Sequence, residues 1–150
     1  LPIFYNHKPT ARRGYLFDTT SPLYPFGYGL SYTTFSLSAP RLAQASIRSG
    51  QPATVSVDVA NTGARAGDEV VQLYIHQQVA SVTRPVIELK RFRRVRLAPG
   101  ARTTVEFELQ PEDLALWNLQ MKRVVEPGVF DIYAGPDSVE LKKAELTVTP

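Results

Sequence analysis

Hydrophobic and polar residues alternate in three segments of the chain. The first segment runs from Thr54 to Val59, the second from Val71 to His76, and the third from Thr104 to Leu109. Every second residue in them is apolar, which is the period of a β-strand with one buried face and one solvated face. In the second segment we expect Gln72, Tyr74 and His76 to face solvent, opposite a buried row of Val71, Leu73 and Ile75.

Two further strands are predicted toward the end of the chain. Phe130, Ile132 and Ala134 continue the alternation, and Leu146 and Val148 offer a last apolar face. Helical periodicity is weak, and we expect at most a short helical turn over residues 111–116, with Pro111 in its first position. The strands are separated by turn residues at 61–63, 67–68, 98–100 and 126–128. This pattern predicts an all-β fold, an antiparallel β-sandwich of the fibronectin type III or immunoglobulin-like kind.

One predicted strand, from Ile87 to Leu97, changes its phase of alternation around Arg91 and Phe92. An extra residue in one strand of an antiparallel pair produces such a shift, and bulges of this kind are common at sheet edges. We therefore expect an outer strand with a bulge in this segment.

The same segment carries much of the positive charge. The chain has a formal net charge of +3, and five of its 17 Lys and Arg residues lie in residues 90–96. Because alternate side chains of a strand point to opposite faces, we expect these charges to face water along a sheet edge, without a nucleic-acid partner. The alternative is an interaction module in which this strip binds an acidic partner or a second subunit, and the sequence leaves the oligomeric state open.

Residues 23–35, called the connector below, have the sequence LYPFGYGLSYTTF, in which five of thirteen residues are aromatic. Aromatic rings bury large areas, so a cluster this dense is expected to pack against a second body. We assign residues 1–34 to the tail of a preceding domain plus this linker, and residues 35–150 to the β-sandwich. Without the preceding domain, the rings are expected to be exposed or loosely folded back. The predicted interdomain packing residues are Tyr24, Phe26, Tyr28, Leu30, Tyr32 and Phe35.

No constellation in the sequence predicts catalysis. Glu106 and Glu108 share one strand face about 7 Å apart, but their alternation places them on the solvated side. The adjacent acidic pairs at 68–69 and 112–113 lie at element ends, where turn and cap roles are usual. The two histidines, His7 and His76, are distant, and the chain has no cysteine. We therefore predict no catalytic residue, no metal site and no cofactor. With no apolar stretch of spanning length, we also expect no membrane partner.

Trp117, the single tryptophan, permits two interpretations. It plugs the end of the sandwich or packs on the connector, which we favour, or it stacks on a sugar ring as in carbohydrate-binding modules. The second interpretation makes the chain a binding module, with Trp117 and the connector aromatics as its platform.

Several motifs together resemble the C-terminal region of family 3 glycoside hydrolases, the β-glucosidase and β-xylosidase group, most of all the bacterial periplasmic β-glucosidase type. The resemblance covers nearly the whole chain in order. Its motifs are residues 2–10 (PIFYNHKPT), the connector, residues 84–90 (RPVIELK), residues 117–122 (WNLQMK) and residues 127–130 (PGVF).

This resemblance implies a fibronectin type III-like module that follows two catalytic domains. In the family, a barrel-like domain supplies an aspartate nucleophile and an α/β sandwich domain commonly supplies a glutamate acid/base. Both catalytic positions would lie outside this chain, whose first 34 residues would end the second catalytic domain. The implied partners are those domains of the same polypeptide, with a β-glucoside or oligosaccharide substrate bound by the parent enzyme. The implied reaction is hydrolysis of terminal β-linked sugars with retention, in a periplasmic or secreted enzyme, and the preferred sugar stays open.

Overall fold

The structure, a computed structural model, describes residues 4–8 and 21–150. Short antiparallel strands dominate it, which confirms the predicted all-β class. The elements are β1 (Phe35–Leu37), β2 (Arg41–Leu42), β3 (Ser46–Arg48), β4 (Ala53–Asn61), β5 (Gly67–Gln77), β6 (Glu88–Leu97), β7 (Arg102–Leu109), α1 (Pro111–Leu114), β8 (Leu116–Trp117), β9 (Arg123–Val124), β10 (Gly128–Gly135) and β11 (Lys142–Thr149).

Two sheets form the sandwich. In the first sheet β4 is central, with β1 and β2 paired along one side and β7 along the other. The second sheet has the order β3-β11-β10-β5-β6. In this sheet β3 and β11 are parallel, and all other neighbouring strands are antiparallel. A separate two-stranded ribbon is made of β8 and β9. The ribbon belongs to neither sheet of the sandwich.

The core lies between the apolar rows of the two sheets. All three segments with strict alternation are strands, and their apolar rows are buried as predicted. Fully burying one Val, Leu, Ile or Phe side chain is worth about 1.5–3 kcal/mol relative to leaving it exposed, so these rows provide the main stabilisation. The rows of the central strands comprise Val55, Val57, Val59, Val71, Leu73, Ile75, Val105, Phe107, Leu109, Phe130, Ile132, Leu146 and Val148.

The irregularity predicted in the basic segment is present. Leu73 pairs with Arg91 and Tyr74 pairs with Leu89, so Lys90 is an extra residue in β6. This strand is the outer strand of the second sheet, which confirms the edge position and the bulge, although the bulge lies at Lys90 rather than around Arg91 and Phe92. The short helix is also confirmed, although it ends at Leu114; Asp113 accepts a hydrogen bond from the backbone N–H of Gln110 at 2.8 Å.

One expectation about the second sheet is wrong. Gln72 and Tyr74 were expected to face solvent, but their exposed fractions are 5% and 0%, and His76 is half-buried. The alternation itself holds, since these residues do point away from the core. Their face of the sheet is covered by residues from the N-terminal part of the chain, which form the site described next.

Candidate docking surface

Aromatic residues of the N-terminal part cover the outer face of the second sheet. The ring of Tyr5 stacks on that of Phe26, with centroids 4.1 Å apart and planes within 14°. The same ring meets Tyr74 edge-on at 5.9 Å. The Tyr5 hydroxyl accepts a hydrogen bond from the backbone N–H of Leu89 at 3.2 Å. Residues 4–8 and the connector therefore pack on the sandwich in a defined way, and burial beneath them raises the pKa of the Tyr74 hydroxyl.

Buried polar groups fix the first half of the connector. The Gln72 side-chain amide donates to the backbone oxygens of Gly27 and Pro136, and its oxygen accepts from the Tyr74 hydroxyl at 2.6 Å. The backbone N–H of Ser138 donates to the oxygen of Phe26 at 2.9 Å. Buried polar groups need such partners, so these contacts hold the chain at residues 26–27.

Gly27 has a specific role at this contact. Its φ is +81°, in the region that favours glycine, and a Cβ there would overlap the Gln72 side chain. The connector backbone approaches the sheet this closely only because residue 27 has no side chain.

The second half of the connector is fixed by Asn61. The Asn61 side-chain oxygen accepts from the Thr33 hydroxyl at 2.8 Å, while its amide donates to the backbone oxygens of Arg65 and Leu97. The backbone N–H of Thr62 donates to the oxygen of Thr34 at 2.8 Å. Phe35 then begins β1 and packs against the core. Both halves of the connector are therefore held to the sandwich.

Between these anchors the connector presents apolar side chains to solvent. Leu30 and Tyr32 are 90% and 92% exposed, while Tyr24, Phe26 and Tyr28 are exposed to smaller degrees. The rings of Tyr24 and Tyr28 lie against each other, with centroids 5.3 Å apart. Large contiguous apolar patches on a soluble domain mark interaction sites. The assignment of these residues to interdomain packing stays a prediction, and the geometry suits it because the backbone is already ordered.

Most of the acidic residues singled out in the sequence, together with Asp58, lie on solvated faces or in ion pairs. Glu106 and Glu108 are exposed on the outer face of β7, as expected. Asp113 forms an ion pair with Arg91, and Asp68 forms one with Arg94. Asp58, on the outer face of β4, is bonded to the Arg41 guanidinium and the Thr104 hydroxyl, and these hydrogen bonds lower its pKa to about 2.

Other candidate chemistry can be placed as well. Within residues 4–8 and 21–150, no group of three His, Cys, Asp or Glu side chains is arranged to hold a metal ion. A pocket of about 380 Å³ is lined by the consecutive residues 76–84. In the described part of the chain, no helix has the length and apolarity needed to cross a membrane.

The basic strip on β6 is partly neutralised within the chain. Besides the two arginine pairs above, Lys90 binds Glu88 at 2.5 Å. Arg93 and Arg96 are exposed along the sheet edge. Binding of an acidic partner to this strip stays an alternative that the structure does not test.

Trp117 lies on the β8–β9 ribbon and is 61% exposed. The expectation that it plugs the end of the sandwich is therefore wrong, and the other form of the expected packing, against the connector, stays a prediction. Its neighbours at alternate positions, Leu119 and Met121, are also exposed, so the ribbon presents an apolar tip. The sequence reasoning missed this tip, and it also missed the role of Tyr5 under the connector. The large amphipathic residues Gln72 and Tyr74 in a nominally solvated row were the signal that something covers them.

Comparison with known proteins yields a family match and several similar enzymes. Residues 69–138 match the family Fn3-like, the fibronectin type III-like domain. A periplasmic β-glucosidase from Salmonella typhimurium is 42% identical, over 97% of this chain and 20% of its own length. A β-xylosidase from Formosa agariphila is 44% identical, over 99% of this chain and 21% of its own length. The structure of a β-glucosidase from Erythrobacter marinus is 49% identical, with a TM-score of 0.95 over 99% of this chain and 20% of that one.

The chain thus spans about a fifth of the length of the curated relatives it matches. The match to the Fn3-like family, together with the two packed sheets, confirms the predicted sandwich. The relatives are the enzymes that the sequence motifs resemble. The chain therefore belongs to the family 3 glycoside hydrolases of the bacterial periplasmic β-glucosidase type, as their C-terminal fibronectin type III-like domain with its preceding linker.

Proposed function

We propose that this domain is the structural module of a retaining β-glucosidase-type enzyme, and that it stabilises and orients the catalytic domains of the same polypeptide. The parent enzyme hydrolyses terminal non-reducing β-D-glucosyl or related residues, and this domain performs no chemistry itself. The observation that carries the proposal is the connector, whose backbone is anchored at both halves while Leu30 and Tyr32 are 90% and 92% exposed.

An ordered backbone makes such a surface effective. Ordering a flexible segment costs about 1–2 kcal/mol per residue, and this cost is already met within the domain. Burying one large apolar side chain against a partner then contributes about 1.5–3 kcal/mol. The six exposed apolar residues of the connector together supply enough apolar surface to hold a neighbouring domain in one orientation; they are Leu23, Tyr24, Phe26, Tyr28, Leu30 and Tyr32.

The proposed activity of the parent enzyme rests on its relatives. One is named a periplasmic β-glucosidase and another a β-xylosidase, so glucosides and xylosides are the candidate substrates. The periplasmic name also supports a location outside the cytoplasm, periplasmic or secreted. Glu106 and Glu108 lie on a solvated face, and Asp58, Asp68 and Asp113 form ion pairs, so the proposal assigns the reaction to the catalytic domains.

The docking role is tested in the full-length enzyme with Leu30→Ser combined with Tyr32→Ser. Both side chains are almost fully exposed in this domain, so the change is expected to matter only through a partner. We expect the half-life of activity at a fixed elevated temperature to shorten several-fold, with kcat at low temperature unchanged. The matched control is Val79→Ser, because Val79 is 78% exposed on the loop after β5. Equal half-lives for the double variant and the control would contradict the docking role.

A second variant combines Tyr24→Ala with Phe26→Ala. We expect this variant to lower the melting temperature of the enzyme while leaving the rate of the chemical step unchanged. Phe26 also stacks on Tyr5, so part of this loss is internal to the domain. An unchanged melting temperature would be incompatible with both contacts.

The assignment of chemistry is tested with aryl β-glucoside and aryl β-xyloside. The 150-residue chain is compared with the full-length enzyme, and activity is expected in the enzyme alone. The faster substrate then identifies the preferred sugar. Activity of the chain itself would overturn the proposal and would direct attention to Glu106 and Glu108.

The exposure of Trp117 supports a second candidate function, carbohydrate binding. Titration of the chain with cello- and xylo-oligosaccharides tests it, since binding that disappears in Trp117→Ala would favour this function. We place it second because Leu119 and Met121, rather than further aromatic rings, flank the tryptophan at the exposed tip.

A further inference from the structure

The β8–β9 ribbon ends in a tight turn whose backbone is satisfied internally. The N–H of Asn118 donates to the oxygen of Lys122, and the N–H of Met121 donates to the oxygen of Asn118, both at 3.0 Å. The Asn118 side-chain oxygen accepts from the N–H groups of Gln120 and Lys122, also at 3.0 Å. Four hydrogen bonds within five residues hold this turn in one conformation.

The conformation is unusual at Met121. Its φ is +56°, in the left-handed region, where non-glycine residues are uncommon and Asn or Gly is the usual choice. Such a backbone costs about 1–3 kcal/mol and persists where the surroundings enforce it, often at binding sites. The Met121 side chain is 76% exposed, so burial within this domain does not offset the cost.

The tip displays apolar residues at alternate positions. Trp117, Leu119 and Met121 are 61%, 77% and 76% exposed, and they include the only Trp and the only Met of the chain. Tryptophan and methionine are enriched at the centres of protein interfaces. A turn held in one conformation, which displays two such residues together with an exposed leucine, has the composition of a docking element.

The base of the ribbon is fixed close to the N-terminal segment. The Arg84 guanidinium donates to the backbone oxygen of Ala115 at 3.0 Å, immediately before β8. Two residues further on, the N–H of Val86 donates to the oxygen of His7 at 2.9 Å. The stretch at residues 84–86 therefore contacts both the start of the ribbon and residues 4–8.

We propose that this tip, formed by Trp117, Leu119 and Met121, is a second docking element that packs against the catalytic part of the same polypeptide. The occupant follows from the length of chain outside this domain, about four fifths of each relative, and from the place where that chain joins. Residues 4–8, near the end at which the preceding domains would join, contact the same stretch, residues 84–86, as the start of the ribbon. The inference rests on the proposed function but uses residues separate from the connector.

The direct test is oxidation of Met121 by hydrogen peroxide in the full-length enzyme, followed by peptide mass spectrometry. The rate is compared with that in the same enzyme unfolded in denaturant. A docked tip predicts protection of at least about tenfold, since the side chain is buried only by the partner. Oxidation at the unfolded rate would overturn the proposal.

Two further conditions separate the other occupants. Protection that appears only at enzyme concentrations where a dimer forms would assign the tip to a second copy and overturn the proposal. Protection that appears only with added cello- or xylo-oligosaccharide would assign it to sugar and overturn it equally. Protection that is independent of concentration and sugar supports docking within one polypeptide.

A variant complements the chemical test. Leu119→Ser in the full-length enzyme is expected to shorten the half-life of activity several-fold, whereas Val79→Ser, of matching exposure, is expected to leave it unchanged. If the connector double variant is destabilised while Leu119→Ser behaves like the control, the second docking element is wrong and the proposed function stands. If both behave like the control, the proposed function itself fails.

Discussion

The outer faces of the two sheets arise from the same alternating sequence pattern, but one face is exposed to solvent and the other is covered by the N-terminal part of the chain. On the first sheet the outward residues of β4 and β7, such as Thr54, Glu106 and Glu108, remain exposed. On the second sheet the outward residues Gln72 and Tyr74 of β5 are buried. Alternation predicted the direction of every one of these side chains, but it did not predict what covers them.

The difference arises from side-chain chemistry and from a distant segment. Short polar and charged residues on the first sheet make their bonds to water or to one another, as in the Asp58–Arg41 pair. The ring of Tyr74 offers apolar surface to the ring of Tyr5. The side-chain amide of Gln72 offers a hydrogen-bond donor to the backbone oxygen of Gly27. The covered outer face of the second sheet is therefore the face on which residues 4–8 and the connector pack.

The largest expected difference between the two faces concerns Tyr74 and Glu108. Tyr74→Ala removes a ring that is 0% exposed, and we expect it to lower the free energy of unfolding by about 3–5 kcal/mol. Glu108→Ala changes an exposed side chain and is expected to stay within about 0.5 kcal/mol. Denaturant titration of both variants measures the difference. Similar losses would show that the connector does not cover the second sheet in solution.

The close approach of the connector is examined with Gly27→Ala and Gly50→Ala. Both glycines have positive φ, +81° and +87°, but only a Cβ at residue 27 meets other atoms. We expect about 1 kcal/mol of destabilisation from the backbone alone at Gly50. Gly27→Ala should lose a further 1 kcal/mol or more, at about the scale of overpacking. Equal losses of unfolding free energy for the two variants in denaturant titrations would show that residue 27 does not lie against Gln72.

The covered face also predicts a loss of stability at alkaline pH. Burial raises the pKa of Tyr74 in the folded state, so the neutral hydroxyl stabilises the fold below the usual tyrosine pKa of about 10. As the pH rises above about 10, the unfolded state releases this proton more readily, and stability falls by up to about 1.4 kcal/mol per pH unit. Tyr74→Phe is expected to flatten this decline between pH 9 and 11. A decline of equal slope in the variant would exclude Tyr74 as its source.

The solvated face predicts the smallest effect, at acid pH. The hydrogen bond from Arg41 lowers the pKa of Asp58 to about 2 in the folded state. Its contribution is therefore fully present above about pH 4 and is lost as the pH falls from about 4 to about 2. Asp58→Asn and Arg41→Gln should each remove this part of the acid dependence, measured by denaturant titration at several pH values. Salt should weaken the effect in the original chain, because the pair is exposed.

Features that depend on local periodicity could be predicted from the sequence, whereas features that depend on long-range contacts could not. Period-two alternation reports which residues share a face, so the buried rows around Val57 and Leu73 could be predicted. A bulge in β6 could be predicted as well, although it lies at Lys90 rather than around Arg91 and Phe92. Whether an outer face is covered depends on residues far away in the sequence. The hydroxyl of Tyr5, for example, accepts a hydrogen bond from Leu89, 84 positions further along the chain. Local periodicity carries no information about that contact.

The Trp117 error has the complementary cause. Tryptophan is highly buried on average, and we therefore favoured packing at the end of the sandwich or on the connector. The structure places it at an exposed tip instead, beside Leu119 and Met121. If the burial partner belongs to another domain, no pattern within this chain could reveal where the ring packs.

Hydroxyl-radical footprinting of aromatic and methionine side chains tests the central claim most directly, by comparing the full-length enzyme with the 150-residue chain. Tyr74 should be protected in both, which verifies that the covered face forms in each. The account predicts that Tyr24, Tyr28 and Tyr32 react readily in the chain and are protected several-fold in the enzyme. Equal reactivity of these three rings in the two samples would contradict a connector that docks onto the catalytic domains.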